Sequence, residues 1–245
     1  MASRRIANTK RVFEGERALT GLITIGICFI AIGILVRYSL FQNVDLKVTK
    51  ELQEEYSPVT QVSMKVLTFI GEPFVLPIFG FAAAWGLKRV GLPRASKFVL
   101  LSLIAIPINV VLKLIWDTAR PDAALVQVAV KTAGTSFPSG HAMGSTALYG
   151  AFAALAWIHL DARKTRLPLV LVLIALPFGI GYSRIYLGAH WLSDVLGGTS
   201  MGMVVLIPLL RWYLRCIPDE EEIQAAKKAA ALQLKNDPTL MKGLP

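Results

Sequence analysis

Three short stretches of the sequence hold the side chains best suited to do chemistry. They are Lys113-x6-Arg120-Pro121, Pro138-Ser139-Gly140-His141 and Ser183-Arg184-x5-His190-x3-Asp194. Together they contain three basic side chains, two of the three histidines and a carboxylate four residues after a histidine. Each stretch lies at one end of an apolar segment. Because a charge beside a membrane-length helix is costly, these cations indicate that something anionic binds there.

The third stretch suggests a nucleophile. His190 and Asp194 are four residues apart at the start of the last apolar segment, so we predict that they share one face of a helix. The carboxylate then accepts one imidazole N–H, and the other ring nitrogen is presented with its lone pair outward. This is the arrangement of an oriented nucleophile. Arg184 offers a planar guanidinium that suits phosphate oxygens.

The second stretch opens an apolar helix. Ser139 is a good N-cap residue, and Gly140 lets an anion approach the backbone closely. The unpaired N–H groups of the first turn form an anion site, and His141 beside it is placed to protonate a leaving oxygen. The alternative is a plain helix cap with an interfacial histidine.

The first stretch adds two cations. Lys113 lies at the end of an apolar segment, Arg120 lies in the loop beyond it, and Pro121 stiffens the chain. Taken alone, both cations are better explained as side chains that extend toward water from a span end. Together with Arg184, the helix start and the His–Asp pair, they indicate a site for a phosphate monoester or diphosphate.

The composition predicts an all-α membrane protein with one helical domain. Of 245 residues, 54% are apolar and 17% charged, and the mean hydropathy is +0.55. A span needs about 20 residues, and the third and sixth apolar blocks reach that length only with their flanks. A large soluble core is disfavoured because the blocks fill most of the chain. The six blocks, each predicted to be a transmembrane helix of one bundle, are Leu19–Val36, Val66–Leu87, Phe98–Leu112, Ala142–Leu160, Leu167–Ser183 and Val195–Leu210.

The basic residues assign the sides of the membrane. The formal net charge is +10, and 18 of the 26 Lys and Arg residues fall in the two tails and in the second and fourth connections. The positive-inside rule makes these regions cytoplasmic, which leaves both termini inside and the three stretches on the outer face. No basic patch is interleaved with aromatic residues, so we expect no nucleic-acid partner. We interpret the first block as an uncleaved anchor rather than a signal peptide.

Three regions are expected along the chain. Residues 1–17 form a basic tail, either a short surface helix with Ile6 and Phe13 in lipid or a disordered segment. Residues 18–216 form the six-span domain. Residues 217–245 form a cytoplasmic tail with a short helix near residues 223–234. His159 is interpreted as an interfacial residue. Glu72 precedes Pro73 in the second block and has two interpretations: a carboxylate near the membrane interface, or an intramembrane charge that contacts the substrate.

The three stretches together resemble the signature of the type 2 phosphatidic acid phosphatase superfamily, which also includes bacterial acid phosphatases and vanadium-dependent haloperoxidases. The resemblance covers residues 113–194, and the six-span layout is similar to the integral membrane lipid phosphatases of that family. It implies that His190 is a nucleophile that forms a phosphohistidine, that Asp194 orients it and that His141 protonates the leaving group. It implies no metal and no other cofactor. It also implies a phosphate-binding set: Lys113, Arg120, Ser139, Gly140 and Arg184.

The expected function is therefore that of a metal-independent hydrolase, an integral membrane phosphatase of the bacterial inner (plasma) membrane that acts at the outer face. Its partners are membrane lipids and a lipid phosphate substrate. Undecaprenyl diphosphate is the first choice, followed by phosphatidylglycerol phosphate, phosphatidic acid and lipid A phosphates. Two alternatives stay open: a lipid phosphotransferase that uses the same intermediate, and a non-catalytic lipid-phosphate carrier. The six spans disfavour a soluble haloperoxidase.

Overall fold

Ten helices make up the architecture. A computed structural model describes residues 2–130 and 132–218, and no strand occurs within them. The helices are α1 (Ala2–Glu14), α2 (Glu16–Arg37), α3 (Gln42–Leu52), α4 (Pro58–Phe69), α5 (Val75–Arg89), α6 (Pro93–Ser102), α7 (Ala105–Trp116), α8 (Gly140–His159), α9 (Arg163–Tyr186) and α10 (Leu192–Arg215).

Four helical segments of the described chain are long and apolar enough to cross a membrane. They are α2, α9, α10 and the combined segment Pro93–Trp116 that contains α6 and α7. They correspond to the predicted first, fifth, sixth and third blocks. Helix α8 is long enough, with 20 residues, but it is rich in small and polar residues and is not among the four. The all-helical class is confirmed, whereas the six-span arrangement stays a prediction.

The second apolar block is not one helix. The prediction of a single helix over Val66–Leu87 was wrong, because the chain leaves the helix after Phe69 and enters α5 at Val75. Pro73 supplies no backbone N–H, and it disfavours helical geometry at the residue before it, Glu72. The break therefore puts Glu72 in a turn between α4 and α5.

The third block also contains a break. Helix α6 ends at Ser102 and α7 begins at Ala105. Pro107, in the first turn of α7, has no N–H to donate to the carbonyl of Leu103 four residues earlier, so the ladder of backbone hydrogen bonds is interrupted there.

Helix α8 lies at the centre of the bundle. Most of its residues are buried, and it packs against α9 on one side and α10 on the other. Glycines allow the close approach of α10: a Cβ atom at Gly198 would overlap the carbonyl oxygen of Ser139, and one at Gly202 would lie 2.7 Å from that of Met143. The two helices therefore touch backbone to backbone near the start of α8.

The tails differ from the expectation in one respect. Residues 2–14 are helical, as one of the two alternatives proposed, but Ile6 and Phe13 pack against the protein's own core cluster rather than entering lipid.

Helix α3, within the long connection of residues 37–65, was not predicted. The helix predicted near residues 223–234 lies outside the described residues.

The contact at Gly198 gives a testable prediction. Gly198→Ala places a methyl group against the carbonyl of Ser139, so α10 must move away from α8. We expect a loss of about 1–3 kcal/mol in the free energy of unfolding, as found for overpacked cores. The measurement is the thermal midpoint in detergent, followed by tryptophan fluorescence.

The matched control is Gly86→Ala in α5, where a Cβ atom would meet nothing within 4 Å. Alanine favours the helix by about 1 kcal/mol over glycine, so this variant should keep or raise the midpoint. Equal midpoints for the two variants would contradict the packing described for α8 and α10.

Candidate active site

His190 and Asp194 meet at the start of α10, though not in the predicted way. Helix α10 begins at Leu192 with Trp191 as its N-cap, so His190 lies in the preceding turn and the prediction of a shared helix face was wrong. Asp194, in the first helical turn, reaches back to satisfy the helix end. Its Oδ2 accepts a hydrogen bond from the Trp191 backbone N–H at 2.9 Å and lies 3.2 Å from Nδ1 of His190.

The neighbours of His190 define its tautomer. Nη1 of Arg120 lies 3.3 Å from Nε2 of His190. A guanidinium only donates hydrogen bonds, so Nε2 must be the acceptor and Nδ1 carries the hydrogen that faces Asp194. The ring is 2% exposed. Burial, followed by the positive charges of Arg184, Arg120 and Lys113, holds the pKa of His190 well below its usual range. The imidazole is therefore neutral, and its unprotonated Nε2 faces the guanidinium of Arg120.

Ser136 is a member of the site that the sequence did not reveal. It is fully buried, its hydroxyl donates to Oδ2 of Asp194, and its Oγ lies 3.4 Å from Nδ1 of His190. The same loop makes a second connection to α10, because the backbone N–H of Ser139 donates to the carbonyl of Asp194 at 2.9 Å. The loop before α8 is thus tied to the residue that orients His190.

Lys113 and Arg120 hold this loop in place. Nζ of Lys113 donates to the carbonyl of Thr135 at 2.6 Å. Nε of Arg120 donates to the carbonyl of Gly134 at 2.9 Å, and Nη1 donates to that of Ala189 at 2.8 Å. Both cations therefore donate hydrogen bonds to backbone carbonyls, so their role in the site is structural as well as electrostatic.

Arg184 is the cation with the least complete set of partners. It is 1% exposed, and its Nη1 donates to Oγ1 of Thr68 at 3.1 Å. Its Nε is buried with no hydrogen-bond partner in the described part of the chain. A buried cation with unsatisfied donors is unfavourable by itself. This side chain is poised to receive an anion.

At the start of α8, Ser139 is the N-cap residue that the sequence predicted, and Asn109 lies against Gly140. Ser139 is the N-cap, with its side chain accepting from the N–H of Ala142 at 3.5 Å. A Cβ atom at Gly140 would lie 2.8 Å from Oδ1 of Asn109, whose Nδ2 donates to the carbonyl of Pro138 at 3.1 Å. The missing side chain at Gly140 therefore makes room for Asn109.

His141 has a carboxylate partner. Its Nε2 lies 3.1 Å from Oε1 of Glu72, which is ion-pair distance, although the angles of a hydrogen bond are not met. Glu72 reaches this position from the turn between α4 and α5. The helix break at Pro73 is the sequence signal that Glu72 leaves the span.

The predicted residues thus gather at one end of α8, α9 and α10. The arrangement provides a neutral imidazole whose unprotonated Nε2 faces Arg120, a buried guanidinium without a full set of partners, and a second histidine paired with a carboxylate. These are the parts needed for nucleophilic attack, for stabilising an anion and for proton transfer. Among the described residues, no group of three or more His, Cys, Asp or Glu side chains is placed to hold a metal ion.

Comparisons with known proteins identify the family of the chain. The family described as the PAP2 superfamily matches residues 95–218, half of the chain. Phosphatidylglycerophosphatase B of Bacillus subtilis is 35% identical over 99 residues, which cover 40% of this chain and 47% of that protein. Decaprenylphosphoryl-5-phosphoribose phosphatase of Mycobacterium tuberculosis is 38% identical over 124 residues, which cover 49% and 63%. The chain therefore spans about half to somewhat under two thirds of these relatives.

A solved structure shares the fold. The crystal structure of a transmembrane PAP2 type phosphatidylglycerolphosphate phosphatase from Bacillus subtilis has a TM-score of 0.68 at 22% identity. The match covers 80% of this chain and 97% of that one. The similarity at this level of identity concerns the architecture of the helices.

The incomplete set of partners around Arg184 gives a prediction that needs no substrate. Inorganic phosphate should raise the thermal midpoint, since a ligand at a hundred times its dissociation constant stabilises the folded state by about 2.7 kcal/mol. Arg184→Gln should abolish this shift. Arg163→Gln, at an exposed position at the start of α9, is the control and should keep it. An equal shift with chloride at matched ionic strength, or in Arg184→Gln, would contradict an anion site at Arg184.

Proposed function

Because the chain belongs to the PAP2 superfamily, we propose that it is an integral membrane phosphatase that removes phosphate from a lipid phosphate or diphosphate. One observation carries the proposal. The Nε2 lone pair of His190, fixed by Asp194 on the other side of the ring, lies among cations that include the incompletely bonded Arg184. A nucleophile beside an incomplete anion site fits a phosphoryl group better than any neutral substrate.

In the proposed reaction, Nε2 of His190 attacks phosphorus. The N–P bond forms as the bond from phosphorus to the leaving oxygen breaks, and His141 gives its proton to that oxygen. Asp194 holds the Nδ1 hydrogen and stabilises the positive ring of the phosphohistidine. His141 then takes a proton from a water molecule, whose oxygen attacks phosphorus and releases His190 and inorganic phosphate. Arg184 stabilises the charge on the phosphoryl oxygens throughout.

The proposed placement in the membrane keeps six spans. Helix α8 supplies a fifth span, and the interrupted pair α4 and α5 supplies a sixth. Both lie in the same bundle as the four apolar segments. The basic connections support a cytoplasmic location of both termini and an outer-face site, in a bacterial inner membrane. A phosphate group then meets the site at the membrane surface while the lipid tail stays between helices.

The substrate proposal includes two lipid classes. The two relatives are named for phosphatidylglycerol phosphate, a glycerolipid, and for decaprenylphosphoryl-5-phosphoribose, a polyprenyl lipid. Undecaprenyl diphosphate remains the first choice for this chain, and phosphatidylglycerol phosphate, phosphatidic acid and lipid A phosphate follow. Purified protein offered this panel in the presence of a chelator tests the lipid class and the metal-free mechanism together.

His190→Ala should abolish phosphate release. Without Nε2 no phosphohistidine forms, so we expect turnover of the best lipid in the panel to fall at least about a thousandfold, as for other removed nucleophiles. Free phosphate and phosphorylated lipid are both measured. His159→Ala is the control, because His159 bonds the hydroxyl of Tyr213 at 2.6 Å, at the opposite end of α8.

The outcomes separate the parts of the proposal. Wild-type turnover by His190→Ala would contradict the nucleophile. Loss of wild-type activity with chelator would contradict the metal-free mechanism. Phosphate appearing on an acceptor lipid instead of in solution would identify a phosphotransferase, and a panel with no turnover would favour a carrier.

Glu72 is proposed as a positioning residue that acts through His141. Its carboxylate stabilises the imidazolium form, so Glu72→Gln should make His141 lose its proton at lower pH. We expect kcat to fall about tenfold to a hundredfold with little change in KM, and the basic limb of the kcat profile to move to lower pH. Glu72→Asp should recover part of the activity.

The matched control is Glu54→Gln, at an exposed position in the turn after α3. It removes the same charge away from His141 and should leave the pH profile unchanged. A Glu72→Gln variant with reduced kcat but an unshifted basic limb would show that Glu72 only supports the fold.

A further inference from the structure

A second site lies at the other end of the bundle. An apolar groove of about 840 Å³ runs where α1 crosses α8, α9 and α10. Its floor consists of small residues of α8, namely Gly150, Ala153 and Ala154. Aliphatic side chains from α9 and α10, including Ile174 and Leu206, form its walls. Ile174 is 48% exposed, so the wall is apolar without being covered by protein.

The dimensions suit one lipid chain in one leaflet. From Gly150 to Ile158 along α8 the groove extends about 12 Å, at about 1.5 Å per residue. One leaflet of a bilayer has an apolar thickness of about 15 Å, half of the hydrocarbon core. His141, at the start of α8, is about 25 Å from Ile158 by the same rise, so this groove is separate from the candidate active site.

The mouth of the groove carries two incompletely bonded arginines. The side chain of Arg5 is 10% exposed, and its Nη2 donates to the carbonyl of Ile158 at 3.2 Å and to Oδ1 of Asp161 at 3.2 Å. Its Nε is buried with no hydrogen-bond partner in the described chain. Arg166 donates from Nη1 to the carbonyl of Leu160 at 3.0 Å, and its Nε is likewise buried without a partner there.

The balance of charge at this mouth is positive. Asp161 offsets part of the charge of Arg5, but its side chain is 79% exposed and so is well solvated. The guanidinium of Arg166 lies 5.1 Å from the centroid of the Trp157 ring, which keeps it at the edge of the groove. Two buried N–H donors on cations above an apolar channel match an anion attached to a hydrocarbon chain.

We propose that this groove binds an anionic glycerophospholipid from the leaflet opposite the candidate active site. One acyl chain fills the channel, and the phosphate accepts hydrogen bonds from the guanidinium groups of Arg5 and Arg166, which line the groove. On the same wall, Nε1 of Trp157 donates to Oγ1 of Thr9 at 3.2 Å, which joins α1 to α8. The bound lipid therefore lies beside the contact that holds α1 on the bundle. The inference rests on this geometry and not on the proposed activity.

The test measures lipid retention by the full chain. Purified protein in detergent is titrated with dioleoyl phosphatidylglycerol or dioleoyl phosphatidylcholine, and bound lipid is counted by native mass spectrometry. Phosphatidylglycerol should bind with a higher affinity than phosphatidylcholine. The double variant Arg5→Gln/Arg166→Gln should bind phosphatidylglycerol about tenfold more weakly, the loss expected when charge-assisted hydrogen bonds to an anion are removed.

Two further variants establish whether the lipid occupies the groove itself. Arg163→Gln removes a nearby exposed charge that does not line the groove and should bind the lipid like the wild type. Ala154→Phe leaves all charges in place and fills the channel, so it should also weaken binding. The thermal midpoint of each variant shows that it is folded.

Several results would overturn the proposal. Equal binding of the two lipids would remove the role of the arginines. Loss of binding in Arg184→Gln, with retention in Arg5→Gln/Arg166→Gln, would place the lipid at the candidate active site instead. A protein dimer that excludes lipid from the groove would identify a second copy of the chain as its occupant.

Discussion

The site is organised around one oxygen of a buried carboxylate. Asp194 is completely buried, and its Oδ1 has no hydrogen-bond partner among the described residues, so its contacts are concentrated on Oδ2. Its Oδ2 collects the N–H of Trp191, the hydroxyl of Ser136 and Nδ1 of His190. His190 and Trp191 belong to the turn and the N-cap that immediately precede α10, whereas Ser136 belongs to the loop before α8, 58 residues earlier in the chain than Asp194. A single side chain therefore fixes the start of α10 to a loop that is distant in sequence.

The three cations around that carboxylate have different roles. Lys113 and Arg120 bind loop carbonyls, which holds Ser136 within reach of Asp194. Arg184 comes from a different helix and keeps a buried Nε without a partner among the described residues. A cluster of like charges is unfavourable by itself, so the site is built to be completed by an anion. That requirement, more than the presence of any one residue, supports the proposed phosphate ligand.

Several features were predictable because they depend on local physics. Apolar length predicted α2, α9 and α10, and the N-cap preference of Ser139 predicted the start of α8. The failures needed tertiary information. Where Ile6 packs depends on how α1 meets the bundle. Ser136 carries no signal in sequence, since a serine before a Pro-Ser-Gly-His stretch is common and only the fold brings it to Asp194.

The break in the second apolar block connects fold to chemistry. Pro73 takes Glu72 out of the helix, and the resulting turn brings the carboxylate to His141. Each histidine therefore has a carboxylate partner, and the two carboxylates differ in their surroundings. Asp194, the partner of His190, is fully buried, whereas the side chain of Glu72 is 27% exposed. A partly solvated carboxylate keeps its charge at lower cost and can stabilise an imidazolium. At His190 the guanidinium of Arg120 lies 3.3 Å from Nε2, and a donor in that position requires the neutral ring. The proposed division between a nucleophile and a proton donor therefore rests on the neighbours of each histidine and not on residue type.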